Sequence, residues 1–209
     1  MNPGDPLPTT GTQQAFNGWV KIDADGIVTI VMGKSEMGQG THTGLAMLLA
    51  EELDADWAKV RVEPSPIDGI YNNLGILDGG PPLEAGSPGL MDRFAAHMGG
   101  KVMREFGMMM TGGSSSLKDL WLPMRQAGAA ARAMLVAAAA RQWGVPAAEI
   151  QVADGVLSHA SGKTGGFGEF VVAAAGLPVD TTAPLKRPDQ FKLILQQHIA
   201  ADGDAISLM

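Results

Sequence analysis

Residues 33–43 read Gly-Lys-Ser-Glu-Met-Gly-Gln-Gly-Thr-His-Thr, interleaving glycines with an amide, hydroxyls and a carboxylate. The preceding Val28 to Met32 are β-branched and apolar, the pattern of a buried strand. From Thr41 onward, Leu45, Leu48, Leu49 and Leu53 recur at helical spacing, which predicts an amphipathic helix. A glycine-rich joint of this kind lets backbone N–H groups approach a ligand, and the helix start adds partial positive charge. That chemistry suits an anionic ligand rich in hydrogen-bonding groups. The competing reading is a turn that merely connects strand to helix. A second cluster of the same character, Thr111-Gly112-Gly113-Ser114-Ser115-Ser116, stands before the clearest helical stretch of the chain, which begins at Asp119 or Pro123 and runs to Trp143. Gly144 and Pro146 terminate it.

The elements that must position these clusters alternate between strand and helix. Residues 19–23 predict a strand, Asp25-Gly26 a hairpin turn into Val28, and residues 60–63 a third strand after the helix over 41–53. The three strands are expected in one sheet, with the helices over 41–53 and 123–143 packed on it. Residues 64–89 are rich in Pro and Gly and read as a long irregular connection, followed by a short helix over 90–106. Farther on, residues 145–150 resemble the start of a strand. Gln151-Val152 and Asp154-Gly155-Val156-Leu157 predict a hairpin, and Gly166 to Phe170 lead into a short helix ending at Ala175. The fold class expected is α/β, a mixed sheet with packed helices plus a small C-terminal hairpin and strap. Its divisions are a flexible arm over 1–16, a main body over 17–176 and a linker or strap over 177–209.

Composition narrows the function. Hydrophobic residues make up 45% of the 209, charged residues 18%, and the net charge is -7. A packed core is within reach, and nucleic acid is excluded as the main partner because phosphate binding needs clustered Lys and Arg. The chain has no cysteine, which removes disulfides, thiolate metal sites and iron–sulfur ligation from it. The opening residues lack the basic start and apolar run of a signal peptide. The alanine-rich stretch over 127–140 is interrupted by Arg132 and is no membrane span. A cytoplasmic location is the default expectation, with a periplasmic one open to a member of an exported complex.

Several side chains weigh differently from their first impression. Glu36 reads better as a loop-stabilising acceptor than as an acid or base. His42 either donates to a ligand phosphate or packs as a satisfied histidine. Of Glu51 and Glu52, one is expected at solvent and the other paired with a base. Arg125 and Arg132 either reach a ligand phosphate or, by default, stand at solvent or in surface ion pairs. His97, His159 and His198 show no ligand spacing, and Met108 to Met110 read as filler. The alanine-rich helix, with Gly128 in it, predicts close packing against a further chain.

The runs Asp25-Gly26-Ile27-Val28, Glu36-Met37-Gly38-Gln39-Gly40, Leu49-Ala50-Glu51-Glu52-Leu53 and Trp57-Ala58-Lys59-Val60 resemble the molybdopterin-binding subunit of the xanthine oxidase family. Within that family they are most similar to the isoquinoline oxidoreductase and bacterial aldehyde dehydrogenase large subunits. Thr111 to Ser116, followed by Arg125-Gln126-Ala127-Gly128-Ala129-Ala130, is similar to the family's second cofactor loop and its helix. Leu185-Lys186 and Phe191-Lys192-Leu193-Ile194 match its linker to the next domain. The resemblance covers residues 17–206.

The resemblance implies molybdenum held by the dithiolene of molybdopterin, in some members extended as the cytosine dinucleotide. Gln39 would touch the pterin, with Gly38 and Gly40 allowing backbone approach. Thr111, Ser114 and Ser116, with Gly112 and Gly113 in the same loop, would donate to pterin or phosphate oxygens. It also implies partners: a chain carrying the rest of the molybdopterin subunit, an iron–sulfur subunit, a haem or flavin subunit in some members, and a small-molecule aldehyde or N-heterocycle as substrate. No residue here matches the family's general-base motif, and the chain stops near the expected hammerhead domain. The expectation is therefore a split subunit or fragment, inactive alone. The alternatives are a noncatalytic scaffold that kept the fold without the cofactor, or an unrelated phosphate-binding enzyme; no P-loop lysine pattern or dinucleotide fingerprint supports the latter.

Overall fold

The computed structural model describes residues 7–75 and 109–196. The strands are β1 (Gln14–Asn17), β2 (Val20–Ile22), β3 (Val28–Met32) and β4 (Val60–Pro64) in a first sheet, then β5 (Gln151–Ala153), β6 (Val156–Ser158) and β7 (Thr164–Gly166) in a second. The helices are α1 (Thr41–Leu53), α2 (Ser116–Trp143), α3 (Phe167–Ala175) and the short α4 (Leu193–Gln196).

The first sheet has the order β1-β2-β3-β4, antiparallel as far as β3 and parallel between β3 and β4. A parallel pair needs a crossover, and α1 supplies it. β3 is buried at every position while β4 is an edge strand, in keeping with the apolar run Val28 to Met32 against the alternation of Val60 to Glu63. The three strands expected in one sheet are there together. The loose arm expected through residue 16 is corrected: Gln14 to Phe16 belong to β1, and Leu7 is buried with Val31 and Tyr71. Antiparallel pairing against β2 and a bond from Lys21 Nζ to the Pro8 carbonyl (3.1 Å) hold that segment.

Helices α1 and α2 cover the sheet, with Leu45, Leu49, Leu53, Met124 and Leu135 meeting Ile22 and Ile30 in one core. α2 begins at Ser116, upstream of the expected Asp119 or Pro123, so Pro123 lies inside the helix. A proline there deletes one backbone bond. The extra turns persist because Asp119 is tied to neighbouring segments through both of its carboxylate oxygens. Many of the small residues of α2 pack within the chain. Gly128 lies so close to α1 that a Cβ would sit 2.3 Å from the Leu49 carbonyl oxygen, and Ala127, Ala129, Ala130 and Ala131 are buried. Among the described residues, the close neighbour read from this helix is α1.

The second sheet packs onto the same core through α3. The Asp154-Gly155 turn has positive φ at both residues (48° and 74°), the signature of a two-residue hairpin, and pairs β5 with β6 as expected. β7 is an additional strand, and residues 147–149 form a 3₁₀ turn instead of a strand start. The strap folds back along α1 and α2. Here Glu51 and Glu52 are both buried, 2% and 0% exposed, correcting the expectation that one faces solvent. Glu51 Oε2 accepts the amides of Lys192, Leu193 and Ile194 (2.9, 2.6 and 3.1 Å), and Lys186 bridges Glu51 and Asp54. Arg132 pairs with Asp54 at 3.0 Å.

Burial pushes the Glu51 carboxyl up, but the Lys186 ammonium and the Ile194 and Leu193 amides outweigh it and hold the group below the usual carboxylate range. A carboxyl with a depressed folded pKa contributes stability above its unfolded value of about 4.3, lost as pH falls through the folded value. The amide resonances of Lys192, Leu193 and Ile194 are therefore expected to titrate together below that pH. Glu51→Gln should abolish the titration, and three amides that shift independently would contradict it.

Residues 76–108 and 197–209 lie outside the described residues, and so do the short helix expected over 90–106, most of the irregular connection, His97 and His198, and Met108.

Candidate functional site

β3 ends at Met32, and the chain reverses through an exposed loop over 35–40 before α1 begins. Gly38 and Gly40 both have positive φ, 93° and 75°, which an L side chain adopts only under strain. Among the described residues, nothing lies within 4 Å of where their Cβ atoms would be, so one face of each is open to them. The loop's own carboxylate fills the helix start. Glu36 Oε1 accepts the N–H groups of Gly38 (2.8 Å) and Gly40 (3.0 Å), and Oε2 accepts that of His42 (2.9 Å). The His42 amide, outweighing the opposing desolvation with help from the Gly40 and Gly38 amides, holds the Glu36 carboxyl below its ordinary range. Glu36 is thus the loop-stabilising acceptor read from the sequence.

Gln39 is exposed but folded onto its own loop. Its Oε1 accepts from the Met37 amide (2.5 Å) and its Nε2 donates to the Ser35 carbonyl (3.0 Å). An amide carries two N–H donors and two oxygen lone pairs, so one of each remains for a ligand. The His42 ring bonds the Lys34 carbonyl at 2.7 Å; a carbonyl only accepts, so Nε2 carries a proton there. That is the packing role for His42.

The second cluster lies against the first. Ser35 N–H donates to Thr111 Oγ1 at 2.7 Å, leaving the Thr111 hydroxyl proton free to donate elsewhere. Gly113 and Ser114 both have positive φ (63° and 53°) and are exposed. Ser115 precedes α2 yet makes no cap bond with its side chain. Its hydroxyl donates to the Gly112 carbonyl (2.7 Å) and accepts from Asn73 Nδ2 (2.6 Å). Ser116 is buried in the first turn. The structure therefore joins the loop of Gly38, Gln39 and Gly40 to the loop of Thr111, Gly112, Gly113, Ser114 and Ser116 through the Ser35–Thr111 contact, with Ser116 set deeper than the rest.

Sequence reasoning missed the residues beneath this surface. Lys34, 3% exposed, donates to Asp119 Oδ2 at 2.7 Å. Asp119 Oδ1 accepts the amides of Leu74 and Gly75 (3.0 and 2.8 Å). Asn73, fully buried, also donates to the Met110 carbonyl (3.0 Å). A lysine one residue beyond a glycine reads as solvated, so no local signal marked it. Arg125 does not approach the loops: it pairs with Glu52 at 2.7 Å and lies over the Trp121 and Phe191 rings. A cleft of about 520 Å³ lined by Asp54, Arg132, Lys186 and Lys192 sits at the strap and includes no residue of either loop.

Comparison with known proteins places the sequence in a family. Residues 3–75 match the model of a molybdopterin cofactor-binding domain. The beta chain of isoquinoline 1-oxidoreductase from Brevundimonas diminuta is 36% identical over 174 residues, covering 81% of this chain and 19% of that protein. A membrane-bound aldehyde dehydrogenase (pyrroloquinoline-quinone) of Gluconacetobacter polyoxogenes is 32% identical over 79% of this chain and 17% of its own length. A nicotinate dehydrogenase subunit of Pseudomonas putida is 26% identical over 84% of this chain and 12% of its own length. The chain thus spans less than a fifth of each of these relatives. With the domain match lying on the first sheet and the Gly38–Gly40 loop, the chain belongs with the molybdopterin-binding subunits of the xanthine oxidase family, of the isoquinoline oxidoreductase and bacterial aldehyde dehydrogenase kind.

Proposed function

We propose that this chain is the cofactor-binding part of a molybdenum hydroxylase that oxidises an aldehyde or an N-heterocycle with oxygen derived from water, working with partner chains. The observation that carries the reading is the contact between the two loops, Ser35 N–H to Thr111 Oγ1 at 2.7 Å, which makes one donor-rich surface from two helix starts. Its donor set fits a pterin and its phosphate: neutral hydroxyls and amides, open backbone at Gly38 and Gly40, and no carboxylate in the second loop. In its own loop, Glu36 already fills the N–H groups at the start of α1, so a phosphate finds its donors at the second loop, and the first offers the remaining valences of Gln39.

The cofactor, when bound, supplies two-electron oxidation and oxygen transfer; the protein orients it. Thr111 would donate its hydroxyl proton, Gly113 and Ser114 their exposed backbone, and the start of α2 its partial positive charge. The molybdopterin carries the metal in plain or cytosine-dinucleotide form. The general base would lie in the remainder of the subunit, outside these residues, and an iron–sulfur subunit, joined in some members of the family by a haem or flavin subunit, would take the electrons; these residues by themselves would be inactive. The relatives' names, isoquinoline 1-oxidoreductase, aldehyde dehydrogenase and nicotinate dehydrogenase, support this substrate class.

A second reading has its own observation. Glu36 and the folded-back Gln39 leave the first loop largely self-satisfied, as in a scaffold that retained the fold without the cofactor. The complex purified with its partners separates the two. Thr111→Val with Ser114→Ala is expected to lower extracted pterin and molybdenum about tenfold, the scale of a lost supporting contact at a metal site, with the chain still folded; Gln39→Ala should lower them less. A native complex free of pterin and molybdenum would establish the scaffold instead.

A further inference from the structure

We propose that Lys34 and Asp119 are positioning residues that set the register between the two loops, and that their buried ion pair is retained for that register, not for stability. The inference rests on the cofactor-binding reading above. Lys34 directly follows the glycine after β3, and Asp119 lies in the first turn of α2. Their side chains are 0% and 8% exposed and meet at 2.7 Å. Each is also bound to other segments. The Lys34 carbonyl receives the His42 ring, fixing the first turn of α1, while Asp119 Oδ1 gathers the amides of Leu74 and Gly75. One pair therefore joins the end of β3, the starts of both helices and the 72–75 segment, directly beneath the Ser35–Thr111 contact.

Energetics argue for register. Burial lowers the Lys34 pKa against the opposing hydrogen bond and charge of Asp119. Desolvating two charges offsets much of their attraction, and buried pairs replaced by apolar groups of similar volume are often no less stable. An ion pair nonetheless tolerates few geometries, whereas apolar side chains slide. Two loops that share one ligand need their donors fixed to within about 0.5 Å, which is the tolerance of a preorganised site.

The test uses the co-expressed complex and two readouts, the thermal midpoint and the extracted pterin and molybdenum content. Lys34→Met strands the Asp119 carboxylate and should lower both. Adding Asp119→Asn removes the stranded charge and keeps an oxygen for the Leu74 and Gly75 amides. The double variant should recover the midpoint while cofactor content stays depressed about tenfold, as for loss of an outer-shell partner. Content that returns with the midpoint would overturn the positioning role, since a purely structural pair restores both together. Thr111→Val in parallel distinguishes the failures: depletion there with a loaded double variant rejects only the register pair, and an unloaded wild-type complex rejects the cofactor reading itself.

Discussion

Replacing Arg125 with methionine is expected to destabilise the chain by about 3–5 kcal/mol, the usual cost of stranding one partner of a buried ion pair. The Glu52 side chain is 0% exposed, and Arg125 reaches its Oε1 with both Nε (2.8 Å) and a terminal nitrogen (2.7 Å). The other oxygen, Oε2, takes the Lys186 amide at 2.9 Å. Methionine retains much of the arginine stem's packing, so the loss isolates the charge. The guanidinium also lies 5.7 Å from the Trp121 ring centroid and 5.2 Å from that of Phe191, and donates to the Lys186 carbonyl. It thus pins the strap to α2 as well as neutralising α1. At this chain length the thermal midpoint should fall on the order of 10 °C. Glu52→Gln in the same chain should recover a large part of the loss, because the uncompensated charge is gone. A midpoint unmoved by Arg125→Met would show that Glu52 is hydrated or otherwise paired.

The βαβ unit was legible because every level agreed: a β-branched run, a helical period and an alternating strand in succession. The site loops were legible for the same reason, since glycines and hydroxyls at helix starts announce backbone exposure. What lay beneath them was not. Lys34 and Asp119 stand 85 residues apart, and neither has a sequence neighbour that forecasts burial. The charges at the C-terminal end of α1 were misread similarly. Glu51 and Glu52 look like an ordinary helix end until the strap, more than 130 residues later, brings Lys186 and three amides to them. The start of α2 was placed late because Pro123 imitates a first-turn proline, and tertiary bonds to Asp119 override that local signal.

Gly128→Ala and Gly44→Ala are expected to change stability in opposite directions, although both replace a glycine inside a helix. Propensity alone favours alanine at each by about 1 kcal/mol. At Gly44 in α1 the added Cβ meets, among the described residues, only the Leu117 side chain, at 3.6 Å, an ordinary contact, so the propensity gain should survive and stabilise the chain. At Gly128 the same atom would lie 2.3 Å from the Leu49 carbonyl oxygen and 3.1 Å from Glu52 Cβ. Backbone atoms of α1 cannot rotate aside, so the two helices must separate. Overpacking of this kind costs about 1–3 kcal/mol, and here it also disturbs the Glu52–Arg125 pair beside it. A net loss is therefore expected. Because α1 and α2 each begin at one of the two loops, parting them should also lower cofactor content in the assembled complex, while Gly44→Ala leaves it unchanged. Chemical denaturation of both variants measures the sign directly, and a Gly128→Ala chain as stable as the Gly44→Ala chain would mean that the helices do not approach so closely.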